Sequence, residues 1–526
     1  MQHFLQRFAL LVAGTLSGFD RLVFKGKLCP LYGPNGMNCL LQANHVMHRD
    51  FKSYAAEVTA RVVKAAGVPE AKERGIYRYL NSGKINKEEV ARQFVRRGQT
   101  GLVCVLQCIE PCWTFDWATT PEGSTIRGEP GKCSHLYHYY LHPTFGWLYV
   151  RLQTWFPFEI QIGLNGREWL ARQMDREKLR YARHDNKFLW VRDWQRAQRL
   201  LDEQLQTDWQ SELDALQQQV HPLHPEHLGR MPVNYNWTTF QSEWATDIAF
   251  RRQEELEPWF GRWLRQAMLN YDHSDILGFF GHAPSLYRKG RTRIETSVHA
   301  YFEGKRIKHW VGNNSLKLYT EANVLRTETT LNDAGSIRVT RPPADDPTGE
   351  AARRPMRRSV ADLSQRAAFC QAVNERYVEA LASTAETRTV RELAEPLTRR
   401  TAEPSRKPGP SGPSTPCVRY VRGLNPLAEA DATLLTAISD PKWMTQGLRN
   451  RDVVATLYPE ASADPSERRR RSARVTRLLR LLRGHGLLEK IAGTHRYQVG
   501  VEARPRIQAL LACRNANPEQ LMANAA

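Results

Sequence analysis

The sequence predicts an α+β protein of several domains: an N-terminal body containing an antiparallel sheet, a helical connector, and a small C-terminal module of three helices and a hairpin. Three observations predict this. Blocks with the period-two alternation of strands interleave with blocks of helical period over residues 1–341. Two stretches, 342–358 and 402–416, are rich in Pro, Gly, Ser and charge, and such compositions bury too little apolar surface to order themselves. A helix, helix, helix, hairpin pattern then follows the second stretch.

The chain has 526 residues, enough for a core that needs no disulfide or metal staple. Its nine cysteines, an odd number spread widely, fit a reducing compartment. Lys and Arg number 75 against 55 Asp and Glu, a formal net charge of +20 that favours a polyanionic partner. The apolar start is too short to span a membrane before Asp20 and Arg21 interrupt it. A soluble, cytoplasmic, nucleoid-associated protein without a membrane partner is expected.

Along the chain, Leu22 to Phe24 reads as a strand, Met37 to Ala66 as helical, and Leu102 to Leu106 as a strand. Aromatic and β-branched density rises at His135. His135 to Tyr140, Trp147 to Trp155 and Phe158 to Leu164 predict a three-stranded meander, and Asn165 with Gly166 opens a helix through Met174. Asp193 to Phe280 is dominated by helical patterns, and Arg293 to Arg341 returns to strands. No internal repeat is visible. The expected domains are therefore 1–192 and 193–341 as two subdomains of the body, 342–358 as a linker, 359–401 as a helical connector, 402–416 as a disordered linker and 417–526 as the terminal module.

That module carries the clearest signal. In the helix from Pro465 to Arg483, Val475, Leu478, Leu479 and Leu482 fall at i, i+3, i+4 and i+7, one stripe to bury. Arg468, Arg469, Arg470, Arg471, Arg474, Arg477, Arg480 and Arg483 surround the stripe without an acid among them. Like charges on one helix repel, so such a face calls for a polyanion or for full solvation. Gly484 to Gly486 then ends the helix, and Leu487 to Ile491 with His495 to Val499 makes a hairpin. Over residues 428–513 the sequence resembles the winged-helix DNA-binding families. The resemblance implies a recognition helix presenting Arg470, Arg471, Arg474 and Arg477 to double-stranded DNA, with His495 and Arg496 in the wing.

Chemistry in the body is sparser. Two strand candidates, Asn314 to Tyr319 and Val324 to Asn332, place Lys317 and Tyr319 on one face of the first and, likewise, Arg326, Glu328 and Thr330 on one face of the second, a polar face on adjacent strands. This pair resembles a segment of rolling-circle replication initiators. The resemblance implies Glu328 as a ligand of Mg or Mn, Tyr319 as a nucleophile, and Lys317 beside them. The His-hydrophobic-His strand of that chemistry is absent. In His135-Leu-Tyr-His138-Tyr-Tyr-Leu-His142 only His138 and His142 share a face. Without the metal, the pair reads as a half-exposed sheet with polar cross-strand neighbours.

Cys108, Cys112, Cys133 and His135 offer thiolates and an imidazole for a structural zinc, although the spacing differs from a zinc knuckle and Cys104 and Cys108 alternate like buried strand residues. Strand-associated acids, Asp20, Asp116, Glu159 and Asp185, would suit a two-metal nuclease if they converged. Trp155 to Phe158 reads as core or as a base-stacking platform.

The whole chain is also similar to a large group of uncharacterised bacterial proteins that share Trp155-Phe-Pro-Phe, Asn165-Gly-Arg-Glu-Trp, Asp185-Asn-Lys-Phe and Leu325-Arg-Thr-Glu, and end in the same module. This similarity implies architecture only. Three functions compete. One is a DNA-binding protein of a mobile or replicating element that nicks or cleaves DNA with a metal. The others are a non-enzymatic transcriptional or origin-binding regulator, and an RNA-binding component. A phosphate-cradling Gly-x4-Gly-Lys-Ser/Thr loop is missing, which argues against an ATP-driven motor.

Overall fold

The computed structural model describes residues 1–33, 35–121, 123–222, 234–282, 293–301, 304–343, 346, 348–382, 390–402, 420–440, 443, 447–460, 462–491, 493–500 and 503–516. Six strands come from the first part of the chain: β1 (Val12–Lys27), β2 (Tyr77–Leu80), β3 (Gly101–Thr120), β4 (Gly123–His142), β5 (Gly146–Gln153) and β6 (Ile160–Asn165). A short hairpin follows, β7 (Tyr181–His184) and β8 (Lys187–Val191). The second part supplies β9 (Asn236–Phe250), β10 (Ile294–Tyr301), β11 (Gly304–Val311), β12 (Asn314–Glu321) and β13 (Val324–Leu331).

All of these except β7 and β8 join one eleven-stranded sheet, ordered β10-β11-β12-β13-β9-β1-β6-β5-β4-β3-β2. Its neighbours run antiparallel, apart from the parallel edge pair β2 and β3. The expected subdomains 1–192 and 193–341 are thus two halves of a single sheet, joined where β1 pairs with β9. The halves share a topology. In each, a long strand is followed by a four-stranded meander whose last member returns to pair with that long strand, β6 with β1 and β13 with β9. No sequence repeat accompanies this duplication, because strand topology requires a pattern of alternation and turns rather than particular side chains.

One face of the sheet is apolar and buried. Leu316, Leu318, Leu325 and Ile248 pack against the helices Gln253–Leu269 and Leu363–Ala382, while Phe24, Ile162 and Val150 belong to the core that includes Phe51–Ala65 and Trp209–Val220. Asn374, on Leu363–Ala382, accepts from the Thr329 hydroxyl at 2.6 Å and donates to the Trp244 carbonyl at 3.1 Å, tying that helix to β13 and β9. The opposite face is covered over β1, β9 and β13 by the helices Gly166–Arg176 and Trp194–Glu203 and the β7-β8 hairpin, and over β3 to β5 by the helix Lys87–Arg92, whose Lys87 pairs with Glu110 at 2.6 Å and whose Arg92 lies 5.0 Å from the Trp147 ring. The helix Trp194–Glu203 approaches β1 closely because Gly14 and Gly18 lack side chains: a Cβ there would lie 2.2 Å from Trp194 and 2.5 Å from Leu201.

Several expectations are corrected. The stretch 342–358 is no linker, since β14 (Arg338–Arg341) pairs with β15 (Ala352–Pro355) and Met356 enters the core. Nor is 359–401 a connector. Leu363–Ala382 belongs to the body, whereas Val390–Thr398 places Leu393 and Leu397 in the core of the C-terminal module. Met37 to Ala66 is two helices, Gly36–Ala43 and Phe51–Ala65. The helical reading of 193–280 missed β9, which lies beside the central strand β1. The predicted meander, β4 to β6, and the helix capped by Asn165, Gly166–Arg176, are present. Residues 403–416 of the second predicted linker lie outside the described residues.

The C-terminal module packs Glu429–Ser439, Asn450–Leu457 and Pro465–Gly484 around Leu434, Leu435, Val453, Val475, Leu479 and Leu482. Two short strands, Thr401–Ala402 and Tyr420–Val421, pair beside it. Leu488–Lys490 and Tyr497–Val499 form the hairpin, and Leu448 bridges to Tyr497 as a third strand. That is the winged-helix topology. Leu478 of the predicted stripe is only half-buried, and Leu481 is buried instead.

Candidate functional site

The site grows from an irregularity in β1. Phe19 pairs with Trp244 and Arg21 with Glu243, leaving Asp20 as the extra residue of a bulge. Bulges re-aim side chains. Asp20 accordingly turns onto the partly covered face, where Asn186 Nδ2 donates to both of its oxygens at 2.6 and 2.8 Å and Arg326 Nη1 donates at 3.1 Å.

Directly opposite residues of paired strands share a face. Lys317 on β12 faces Glu328 on β13, which faces Ala245 on β9; Tyr319 likewise faces Arg326, which faces Asp247. The guanidinium of Arg326 grips Asp247 in a fork, Nε to Oδ1 at 2.5 Å and Nη2 to Oδ2 at 2.8 Å, and reaches the Asn186 carbonyl at 2.9 Å. Arg167, fully buried at the start of its helix, forms an ion pair with Asp247 at 3.1 Å and donates to the Ala245 carbonyl at 2.9 Å. Lys317 pairs with Glu328 and lies 3.9 Å from Glu243, and the Tyr319 hydroxyl donates to Glu328 at 2.9 Å.

Three carboxylates therefore meet on three neighbouring strands. One oxygen each of Asp20, Glu243 and Glu328 lies within 4.8 Å of the others. Burial raises the Asp20 carboxyl above its usual range, Arg326 opposes this, and Glu328 adds to it. Glu243 is raised by burial and by Glu328, against Lys317. Glu328 goes the other way: burial pushes it up, but Lys317, Arg326 and the Tyr319 hydroxyl outweigh that and hold it at about 2. The cluster consists of two carboxylates short of positive partners beside one that is well supplied.

Beyond the cluster the same face is open, and it is basic and aromatic. Lys25 sits 4.0 Å from the exposed Phe240 ring, Lys308 3.6 Å from Trp310, and Arg306 4.4 Å from the exposed Tyr301. Arg21, paired across from Glu243, is exposed at the margin of the carboxylates.

The structure thus brings Lys317, Tyr319 and Glu328 together, as period two predicts, and corrects the role of Tyr319. Its ring is buried, its hydroxyl is spent on Glu328, and burial with the Glu328 charge raises its pKa well above normal, so it cannot serve as an exposed nucleophile. Of the four acids singled out in the sequence only Asp20 belongs to the cluster. Asp116 pairs with Lys52 at 3.3 Å on the distal part of β3, Glu159 binds Lys27 at 3.0 Å, and Asp185 occupies the β7-β8 turn. Sequence reasoning missed Glu243, Asp247, Arg167 and Asn186. Arg167, Asn186 and the Arg326-Glu328 pair come from three segments far apart in the sequence, so only the tertiary structure brings them together. Phe156 and Phe158 are buried, so that segment is core and not a stacking platform.

In the winged helix, Arg470, Arg474 and Arg477 are exposed and His495 is exposed in the wing, with Arg496 half-buried. The expected acid-free face is corrected by Glu467, which pairs with Arg470 at 3.0 Å and Arg471 at 3.1 Å. Arg471 also binds the Glu460 carbonyl at 2.7 Å and covers the Tyr458 ring, which makes it a structural residue. Cys112, Cys133 and His135 come together, but the buried Cys108 donates to the Ile109 carbonyl at 3.7 Å and stands outside the cluster. His138 points to the opposite face and binds the Ala66 carbonyl at 2.8 Å.

Among the described residues no helix is long and apolar enough to cross a membrane. No family model, curated protein or solved structure matches the chain.

Proposed function

We propose that this protein binds duplex DNA through its winged helix and cleaves a DNA strand laid on the open face of its sheet, with Mg²⁺ or Mn²⁺ held by Asp20, Glu243 and Glu328. The observation that carries the reading is the meeting of three carboxylates, one per strand, at the margin of a basic aromatic face. The donors are all hard oxygens, which suit such a cation. Two of them are kept above the usual carboxylate range by burial and mutual repulsion, a penalty that a dication relieves.

Stacking on Phe240, Trp310 and Tyr301 accepts any unpaired base, and Lys25, Lys308 and Arg306 follow the backbone. Arg21 and Lys317 stand where a phosphate reaching the carboxylates would need positive charge. Tyr319 positions Glu328 by its hydrogen bond. A bound dication supplies Lewis acidity toward the phosphate and a more acidic water. A covalent tyrosine intermediate is set aside because Tyr319 is buried.

The test incubates supercoiled plasmid and single-stranded oligonucleotides with protein and Mg²⁺, Mn²⁺ or EDTA. Metal-dependent cleavage that disappears in Glu243→Gln, with duplex binding retained, is expected. Changing Arg470, Arg474 and Arg477 to Glu abolishes duplex binding instead, and the wild-type affinity falls by about 0.9 in log K per log salt for each phosphate contacted. Absence of cleavage on every substrate would leave a DNA-binding regulator. Because stacking does not read the sugar, single-stranded RNA is assayed alongside; tighter binding of RNA would favour the ribonucleoprotein reading.

A further inference from the structure

We infer that Cys112, Cys133 and His135 form a zinc site, independent of the carboxylate cluster, that pins a two-stranded ribbon to the edge of the sheet. The placement follows from register. β4 pairs with β5 only from His142 to His135, whereas β3 and β4 stay paired well beyond that point. The residues past Ser134 toward the ribbon tip therefore have one strand partner each, and the ribbon is otherwise held by side chains: Phe115 and Ile126 join the body core, and Trp155 Nε1 and Gln153 Nε2 donate to the Phe115 and Trp113 carbonyls, both at 3.0 Å.

The three side chains stand where the ribbon departs. Cys133 and His135 are two apart on β4 and share a face; Glu110 pairs with Cys133 and Cys112 with Gly131, so Cys112 is the diagonal neighbour of Cys133 on that face. The two sulfurs are 3.3 Å apart, and sulfurs and imidazole all offer a ligand atom within 4.8 Å of one another. Two thiolates on a tetrahedral zinc, each about 2.3 Å from the metal, stand about 3.8 Å apart. The sulfurs need to open by only a few tenths of an ångström, roughly a small side-chain rotation.

The surroundings resemble an outer shell already in place. His135 Nδ1 lies 3.2 Å from the Cys133 carbonyl, the contact that in metal-bound histidines orients the ring and leaves Nε2 to coordinate. Two soft thiolates and one imidazole select zinc over Mg²⁺ or Mn²⁺, so the metals of the two sites are chemically distinct. Three protein ligands leave a fourth position for water.

The test uses the full chain purified under reducing conditions. About one zinc per chain is expected, falling severalfold in Cys112→Ser and Cys133→Ser and unchanged in Cys108→Ser, which controls for the other cysteines. Cobalt titrated into the stripped wild-type protein should develop the intense visible bands of a tetrahedral site and a thiolate charge-transfer band, and this readout needs no variant to fold. Stripping zinc should also open the ribbon to protease between Trp113 and Gly131 while the rest of the sheet resists. A zinc content that survives the Cys112→Ser, Cys133→Ser double change, a cobalt spectrum without thiolate character, or a Cys112–Cys133 disulfide that persists through purification under reducing conditions would each overturn the assignment.

Discussion

β9 carries two acids on one sheet face, Asp247 and Glu243, and their surroundings differ in how much positive charge each meets. At the covered end Asp247 meets Arg326 in a fork and Arg167 from above, beneath the β7-β8 hairpin and the helix Gly166–Arg176. At the open margin Asp20, Glu243 and Glu328 share Lys317 and part of Arg326. A buried acid with dedicated arginines is part of the fold, and removing its partner strands a charge. Acids gathered with too little compensation destabilise the fold they sit in, and a bound cation is what makes such a gathering favourable.

The largest effect should come from the covered end. Arg326→Met leaves Asp247 and Asp20 buried without their main counter-charge and should cost about 3–5 kcal/mol, read as a lowered denaturation midpoint. A loss under about 1 kcal/mol would mean that the covered pair is as dispensable as a surface bridge.

Acid should then separate the ends. Glu328 is held at about 2, below its unfolded value, so its stabilisation is present above the unfolded pKa and is lost as pH falls from there through about 2. Glu243 and Asp20 are raised, so each penalises the fold at neutral pH and the penalty lifts as pH falls through the raised pKa. Glu328→Gln should therefore flatten the acid limb of a stability-pH curve, and Glu243→Gln should not.

Buried histidines add to that limb elsewhere in the sheet. His138 and His309 are lowered to about 4 by burial, so the unfolded chain takes up their protons first and stability falls between the ordinary value near 6.5 and about 4. Each contributes up to about 1.4 kcal/mol per pH unit in that window. His309→Gln should reduce the slope, as measured by thermal midpoints.

The smallest effect in stability is the sharpest in meaning. In metal-free buffer Glu243→Gln should be neutral or stabilising by up to about 1 kcal/mol, and added Mg²⁺ or Mn²⁺ should raise the melting temperature of the wild type only. A destabilisation matching Arg326→Met would erase the distinction between the ends.

Much of the local structure was legible. The apolar stripe and arginines of Pro465–Gly484, the Asn165 cap, the β4-β5-β6 meander and the shared face of Lys317, Tyr319 and Glu328 all depend on spacing within a few residues. β9 was not legible, and with it Glu243 and Asp247 were lost. Bulges against β1 near Asp20 and Phe240 break its alternation, and Trp237, Trp244 and Ile248 fall at intervals that suit a helix as well as a strand. The Thr238-Thr239 pair and the aromatic density were the surviving strand signals.

The sequence by itself determined which segments could become strands or helices, where the arginine face of the winged helix lies, and that the chain carries an excess of positive charge. These are properties of period and charge, and they need no knowledge of a partner. Only the tertiary structure decided that β1 pairs with β9, that Ala352–Pro355 pairs with Arg338–Arg341, and that Asp20, Glu243 and Glu328 meet although more than 300 residues separate the first from the last. Backbone ladders between strands carry no sequence label, so register between distant segments is set by which faces can be buried together, and the carboxylates converge as its consequence.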